Sequence, residues 1–265
     1  MSIIKYGNGA YSSIRFGNRK KVLFFTEPSL ADWTYTTATN GQITLTGYTG
    51  SYDKTIQVPS NGDKYVMDRT CFSNNNSLVS IDLGYSPVVG NLMSFSFSNC
   101  YNLTSVSHIN SNVTIMSFTF SNCYNLNQNI QIPNSATTMS YTFYNCRSLN
   151  QNIQIPNSVT NMYSTFQGCN NLNQNIQIPN SVTNMFFTFF GCTKLQGRIN
   201  ILSESITSAS VCFDGTLPKD VYIPYNYTGT TERTQTFNSF VTAGYLYANG
   251  VSNSQQGVTM HDLNA

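Results

Sequence analysis

The chain has 265 residues, 40% of them hydrophobic and only 9% charged, with a net charge of +2. That is too apolar for a disordered chain, and no apolar run is long enough to span a bilayer. So small a net charge gives no general pull toward nucleic acid or an anionic membrane, although Lys5, Arg15, Arg19, Lys20 and Lys21 all precede the first acid.

The opening residues have no apolar core behind their basic positions, so they do not read as a secretory signal peptide. Ile4-Lys5-Tyr6-Gly7-Asn8 recurs as Ile14-Arg15-Phe16-Gly17-Asn18. Alternation of apolar and polar positions closed by Gly-Asn predicts short strands ending in tight turns, with a third strand over Val22 to Phe25. A meander this small cannot bury a core of its own, so it is expected to dock on another chain or to fold within an oligomer. A flexible tail is the simpler alternative. The motif resembles the short modules that begin many phage virion proteins, tail-associated and fibre proteins in particular. That resemblance covers residues 1 to about 25 and implies docking on other virion proteins, with Ile4, Tyr6, Ile14, Phe16 and Arg19 as the docking residues.

Residues 26–40, with the lone Trp33, read as a connector. The alternation Ile43-Thr44-Leu45-Thr46 predicts a strand closed by Gly47 and Gly50, and Ile56-Gln57-Val58 a second one stopped by Pro59. Then one phrase is written several times. Cys100, Cys123, Cys146, Cys169 and Cys192 recur every 23 residues, and Phe97, Phe120, Phe143, Phe166 and Phe189 keep step with them. So do the leucines from Leu103 to Leu195 and the methionines from Met93 to Met185, while Phe72 and Leu78 open the series. A fixed period of this size marks a solenoid of stacked turns, none of which can bury enough to stand alone. Within a turn, Ile153-Gln154-Ile155 before Pro156 has the period of a half-buried strand, and Ile130-Gln131-Ile132, Ile176-Gln177-Ile178 and Ile199-Asn200-Ile201 repeat it. The Phe-x-x-Cys-x-x-Leu tail turns three side chains inward as a tight or 3₁₀ turn would. Beyond Val221-Tyr222-Ile223-Pro224, a short amphipathic helix over 231–241 with Thr230 or Thr231 as its cap and Gly244 at its end seals the stack, and 245–265 form an irregular tail.

The units Ile155-Pro156-Asn157-Ser158-Val159-Thr160 and Ile178-Pro179-Asn180-Ser181-Val182-Thr183, each with its Phe, Cys and Leu, resemble the BspA-like leucine-rich repeat. The resemblance covers about residues 43 to 224, departs from the family's Ile-Gly at Asn161-Met162, and implies binding and adhesion at surfaces. The expected organisation is thus a mostly β leucine-rich-repeat solenoid. Residues 1–40 are a virion-docking segment and connector, 41–216 the repeats, and 217–265 a cap and tail.

Stacked side chains keep their Cβ atoms near the rise of one turn, wider than a disulfide prefers, so the five periodic cysteines read as buried structural thiols. No paired C-x₂-C spacing suggests a metal, and no cofactor motif is present. No aspartate or glutamate lies between Asp82 and Glu204, so the carboxylate pair of a glycosidase is lacking in the solenoid body. His108 and His261 have no carboxylate or thiol partner by spacing. A glycan-cleaving enzyme would have to rely on Glu204 or Asp214. The chain therefore reads as non-enzymatic.

What remains is surface. The column Phe95, Phe118, Tyr141, Ser164, Phe187 varies between turns, as do Tyr163 with Phe186 and Tyr144, Gln167 with Phe190. Tyr141, Tyr144, Tyr163, Phe186, Phe187 and Phe190 are the candidate receptor-binding residues for a host glycan or protein; a second buried face or a homo-oligomer contact is the competing reading. Neither nucleic acid nor membrane insertion is expected. The reading in view is a phage tail or surface fibre located in the virion, with a bacterial BspA-like cell-surface adhesin as its alternative.

Overall fold

The computed structural model describes residues 3–6, 9–16, 19–23, 30–53, 55–59, 64–84, 88–216, 220–224, 235–242, 245 and 259–263. Strands β1 (Ile3–Tyr6), β2 (Gly9–Phe16) and β3 (Arg19–Leu23) form an antiparallel sheet in that order, with Tyr6 opposite Gly9 and Phe16 opposite Arg19. The third strand therefore begins three residues before the expected Val22. The Gly-Asn turns at 7–8 and 17–18, and the side chains of Ile4, Tyr6, Ile14, Phe16 and Arg19, lie outside the described residues.

Residues 33–37 are not a connector. After a 3₁₀ turn over Leu30–Asp32, β4 (Trp33–Thr37) runs antiparallel to β5 (Ile43–Tyr48). The run Trp-Thr-Tyr-Thr-Thr is rich in β-formers, and that signal outweighs its place between two modules. Trp33 is buried edge-on against Tyr48 and Phe72, with centroids at 4.9 and 5.9 Å, which closes the first end of the stack. Strand β6 (Ile56–Gln57) heads a second sheet, and β7 (Tyr65–Met67) pairs parallel to β5.

From here the chain coils. Parallel strands β6, β8 (Ser80–Asp82) and β9 (Ser105–Ser107) stack in order. Far along the coil β10 (Ile176–Ile178), β11 (Ile199–Ile201) and β12 (Asp220–Ile223) do the same. Residues 130–132 and 153–155, expected as strands, make no ladder pairing. Side-chain and local bonds have taken the ladder's donors there: Val106 N–H donates to Gln128 Oε1 at 2.7 Å, and Ile153 N–H to the Gln151 carbonyl at 3.0 Å. Continuity is kept by a second ladder of single parallel bridges through Leu92, Ile115, Thr138, Asn161, Asn184 and Ser208.

The Phe-x-x-Cys-x-x-Leu segments are tight turns in which Cys N–H bonds to the Phe carbonyl and Leu N–H to the Cys carbonyl, as at 123 and 126. They point Phe, Cys and Leu into one interior. Phe72, Phe97, Phe120, Phe143, Phe166, Phe189 and Phe213 form a continuous pile of nearly parallel rings at 5.6 to 5.9 Å. At its far end Phe240 of α1 (Gln235–Thr242) and Tyr245 close on Phe213. Helix α1 overlaps the expected stretch and ends one residue past it. Its expected caps, Thr230, Thr231 and Gly244, and the side chain of Phe237 lie outside the described residues. Residues 259–262 correct the irregular tail, because β13 (Thr259–Asp262) adds a fourth parallel strand beside β12.

Candidate functional site

The periodic cysteines are interior. Cys100, Cys123, Cys146, Cys169 and Cys192 are free thiols with no exposed surface. Each Sγ donates to the Phe carbonyl one turn back, from Cys100 on Phe72 to Cys192 on Phe166, at 3.0 to 3.1 Å. In the last turn the Thr216 hydroxyl performs the same task on the Phe189 carbonyl. Burial pushes the Cys100 thiol up to about 12, and burial followed by the Asp68 charge pushes Cys71 to about 12 as well. Cys123, Cys146 and Cys169 are likewise raised well above the ordinary thiol value, first by burial. These groups stay protonated and serve as packing and hydrogen-bond donors.

Each regular turn enters left-handed backbone twice. The first column is Phe95, Phe118, Tyr141, Ser164, Phe187 and Val211, with φ from 51° to 64°. The second is Asn99, Asn122, Asn145, Gly168, Gly191 and Gly215, with φ from 56° to 73°. Asparagine and glycine are what this conformation selects, since Gly has no Cβ to clash and Asn bonds locally. The asparagines also form a ladder, Asn99 Nδ2 to Asn74 Oδ1 at 2.7 Å, Asn122 to Asn99 at 2.7 Å and Asn145 to Asn122 at 3.1 Å. Bulky rings in the first column are the exception to that rule.

All six candidate receptor-binding residues come together in one strip. Phe95, Phe118 and Tyr141 stack at 4.8 and 4.3 Å with interplanar angles of 6° and 10°. At Ser164 the strip steps sideways onto Tyr163, tilted 50° from Tyr141 at 5.2 Å, and from there to Phe186 at 5.4 Å. Phe187 lies edge-on to Phe186 and Phe190, while Tyr144 lies edge-on to Tyr141. Phe95 is 43% exposed; the six candidates are half-buried. Burial first, then the hydrogen bond with Tyr163, raises the Tyr141 hydroxyl above its ordinary range. Because Phe95, Phe118 and Tyr141 cover one another's faces, this part of the strip shows ring edges to solvent, a hydrocarbon rim of positive quadrupole sign.

The histidines do have carboxylate partners, contrary to the expectation from spacing. His108 Nδ1 meets Asp82 Oδ1 at 2.5 Å, and His261 Nε2 meets Asp220 Oδ1 at 2.7 Å. Asp82 and His108 lie 26 residues apart because the pair spans adjacent turns. Partial burial raises Asp82, but bonds from Gly84 N–H, His108 and Ser107 outweigh it and leave the carboxyl below its usual value. His108 lines a shallow cleft of about 260 Å³ with Ser107, Gln128, Asn129 and Gln131, at the place where the strand ladder stops. Glu204 is exposed, and Asp214 accepts the Tyr245 hydroxyl at 2.7 Å. Among the described residues no three of His, Cys, Asp and Glu gather as a metal site.

A second surface row went unnoticed in the sequence, although its positions vary from turn to turn like the others. Directly after Cys100, Cys123 and Cys146 stand Tyr101, Tyr124 and Arg147, and two places after Cys100, Cys123, Cys169 and Cys192 stand Asn102, Asn125, Asn171 and Lys194. Tyr101 and Tyr124 stack at 4.9 Å and 6°, and the Arg147 guanidinium lies 4.4 Å over Tyr124. Lys194 Nζ donates to Asn171 Oδ1 at 2.7 Å.

A family model described as a BspA type leucine rich repeat region matches six copies, over residues 48–173 and 127–240. No curated protein matches the chain. Among solved structures, a leucine-rich repeat protein from Bacteroides ovatus superposes with a TM-score of 0.57 at 20% identity, covering 75% of this chain and 59% of its own. The T. pallidum leucine rich repeat protein gives 0.53 at 20% identity, covering 83% and 97%. A leucine rich cell surface protein from Faecalibacterium prausnitzii A2-165 gives 0.44 at 22%, covering 76% and 49%. The first two share the fold, and this chain spans about 59% of the length of the Bacteroides ovatus protein.

Proposed function

The chain belongs to the BspA-type leucine-rich repeat family, and from that premise we propose that it is a non-catalytic recognition module displayed at a bacterial cell surface, with the aromatic strip as its contact surface. One observation carries this reading. At Phe95, Phe118, Tyr141 and Phe187 the backbone is left-handed, where a bulky side chain costs about 1 to 2 kcal/mol. The neighbouring left-handed column shows that this chain uses asparagine or glycine where only the turn matters. Strain kept in one column and avoided in the next points to a role for the rings beyond folding. They are only partly buried, and an aromatic patch in a stretch with no carboxylate between Asp82 and Glu204 suits a desolvating contact with another macromolecule. Nothing in that strip offers a general acid or base at the usual distances of catalysis.

The test is adsorption of the labelled full chain to intact bacterial and host cells, beside a Phe118→Asn/Tyr141→Asn/Phe187→Asn variant. Saturable adsorption lost in the variant supports the reading; equal adsorption by both removes the strip from it. A phage fibre role is the second reading; it rests on the resemblance of residues 1–25 to virion modules, and the antiparallel sheet β1-β2-β3 agrees with the meander expected there. Probing cell envelopes and purified particles for the protein separates the two. Recovery in particles, lost on deletion of residues 1–25, favours the virion; recovery in envelopes favours the cell surface.

A further inference from the structure

We propose that the turn corner carrying Tyr101, Tyr124, Arg147, Asn171 and Lys194 binds a linear acidic polysaccharide, at a site separate from the aromatic strip. Between Asp82 and Glu204 the chain has three cationic side chains, Arg147, Lys194 and Arg198, and no acid. Arg198, exposed and held by the same kinds of neutral partner, lies elsewhere in its turn, beside β11 and over Tyr222 of β12 at 3.6 Å. The other two share the corner and are exposed. Their observed partners, the Tyr124 ring and the Asn171 amide oxygen, are neutral. They hold the heads in place without cancelling the charge, which lowers the ordering cost of binding an anion.

Spacing and chemistry then narrow the ligand. Arg147 and Lys194 stand two turns apart along the stack, roughly 10 Å at the usual strand separation, close to one disaccharide of an extended chain. Between and beside them the row offers phenol hydroxyls and amides whose first bonds are made within it, Asn102 Nδ2 to the Asn76 carbonyl, Asn125 Nδ2 to Asn102 Oδ1 and Lys194 to Asn171 Oδ1, leaving the second N–H and second lone pair of each amide for sugar hydroxyls. A single-stranded nucleic acid would need open ring faces for its bases. Here Tyr101 and Tyr124 cover each other, and Arg147 covers the other side of Tyr124. A polymer carrying one acid per disaccharide and hydroxyls elsewhere fits the row.

The full chain is titrated against hyaluronan and dextran sulfate, with neutral dextran and a poly-dT oligonucleotide as controls. Binding to both acidic polysaccharides, absent with dextran and weaker with poly-dT, is expected to fall about tenfold between about 50 and about 200 mM salt. Arg147→Gln/Lys194→Gln, both at exposed positions, should keep the unfolding midpoint and lose about tenfold in affinity. A variant with Lys5, Arg15, Arg19, Lys20 and Lys21 all changed to Gln should bind as the parent does. No binding, an unaffected corner variant, a loss that follows the N-terminal variant instead, or tighter binding of poly-dT would each overturn the assignment. The aromatic-strip variant is expected to bind hyaluronan normally, so this site and the strip stand or fall separately.

Discussion

Two columns of the same turn adopt the same left-handed backbone and are filled by opposite rules. In the column from Asn99 to Gly215 the backbone selects the residue: asparagine where a side-chain ladder continues, glycine where it does not. In the column from Phe95 to Val211 rings dominate against that preference, and Ser164 shows that a small polar residue is tolerated there. The first column explains the turn; the second is left over for whatever the turn displays. A repeat protein thus separates its two tasks by position within the unit, and the unexplained residue is the informative one.

The largest effect should come from the interior beneath both columns. Thiols raised in the folded state stay protonated while those of the unfolded chain ionise, so their share of stability is complete below about pH 9 and declines toward about 12. Each buried thiol adds about 1.4 kcal/mol per pH unit of decline. Unfolding followed by circular dichroism should therefore steepen sharply above pH 9, and Cys123→Ser/Cys146→Ser should flatten the slope. A single interior ring comes next: Phe143→Ala should cost about 3 to 5 kcal/mol in denaturant unfolding.

The backbone-selected column should respond less. Gly168 has φ +73°, and an added Cβ would fall on Asn145 Oδ1. Gly168→Ala should cost about 1 to 2 kcal/mol, while Gly168→Asn, which extends the ladder, should cost less than half of that. Equal losses for the two would remove the asparagine rule on which the comparison depends. Smallest is the clasp outside both columns. Asp82→Asn should cost less than about 1 kcal/mol. With its folded value lowered, Asp82 contributes above the ordinary carboxyl value of 3.8 and loses that share as the pH falls below it. Thermal melts at pH 3 and 7, compared with those of the Asn variant, check this.

The stack was legible because its interior is periodic. Phe, Cys, Leu and Met at one spacing required one environment each, and the coordinates place them so. The outer details were less legible. Ile130-Gln131-Ile132 carries a strand's alternation, yet its turn gives Gln128 Oε1 to Val106 in place of a backbone carbonyl. Pattern records which face is buried, not which acceptor wins. Asp82 with His108, and Asp220 with His261, escaped because contact across the coil pairs residues at irregular separations of 26 and 41 positions. Trp33 gives little sign of a strand because all four residues that follow it in β4 are exposed, so the strand has no alternation to show. The aromatic strip was visible as variable columns. Its left-handed backbone was not, because only coordinates distinguish a strained phenylalanine from an ordinary one.

The most direct measurement replaces Phe118, Tyr141 and Phe187 with asparagine, the residue their backbone prefers, and reads unfolding and cell adsorption on the same full-length protein. The unfolding midpoint should hold or rise, since about 1 to 2 kcal/mol of local strain is relieved at each site against the packing lost, while saturable adsorption should disappear. A protein that unfolds far more easily, or one that adsorbs as before, would show that the rings serve the stack and not a partner.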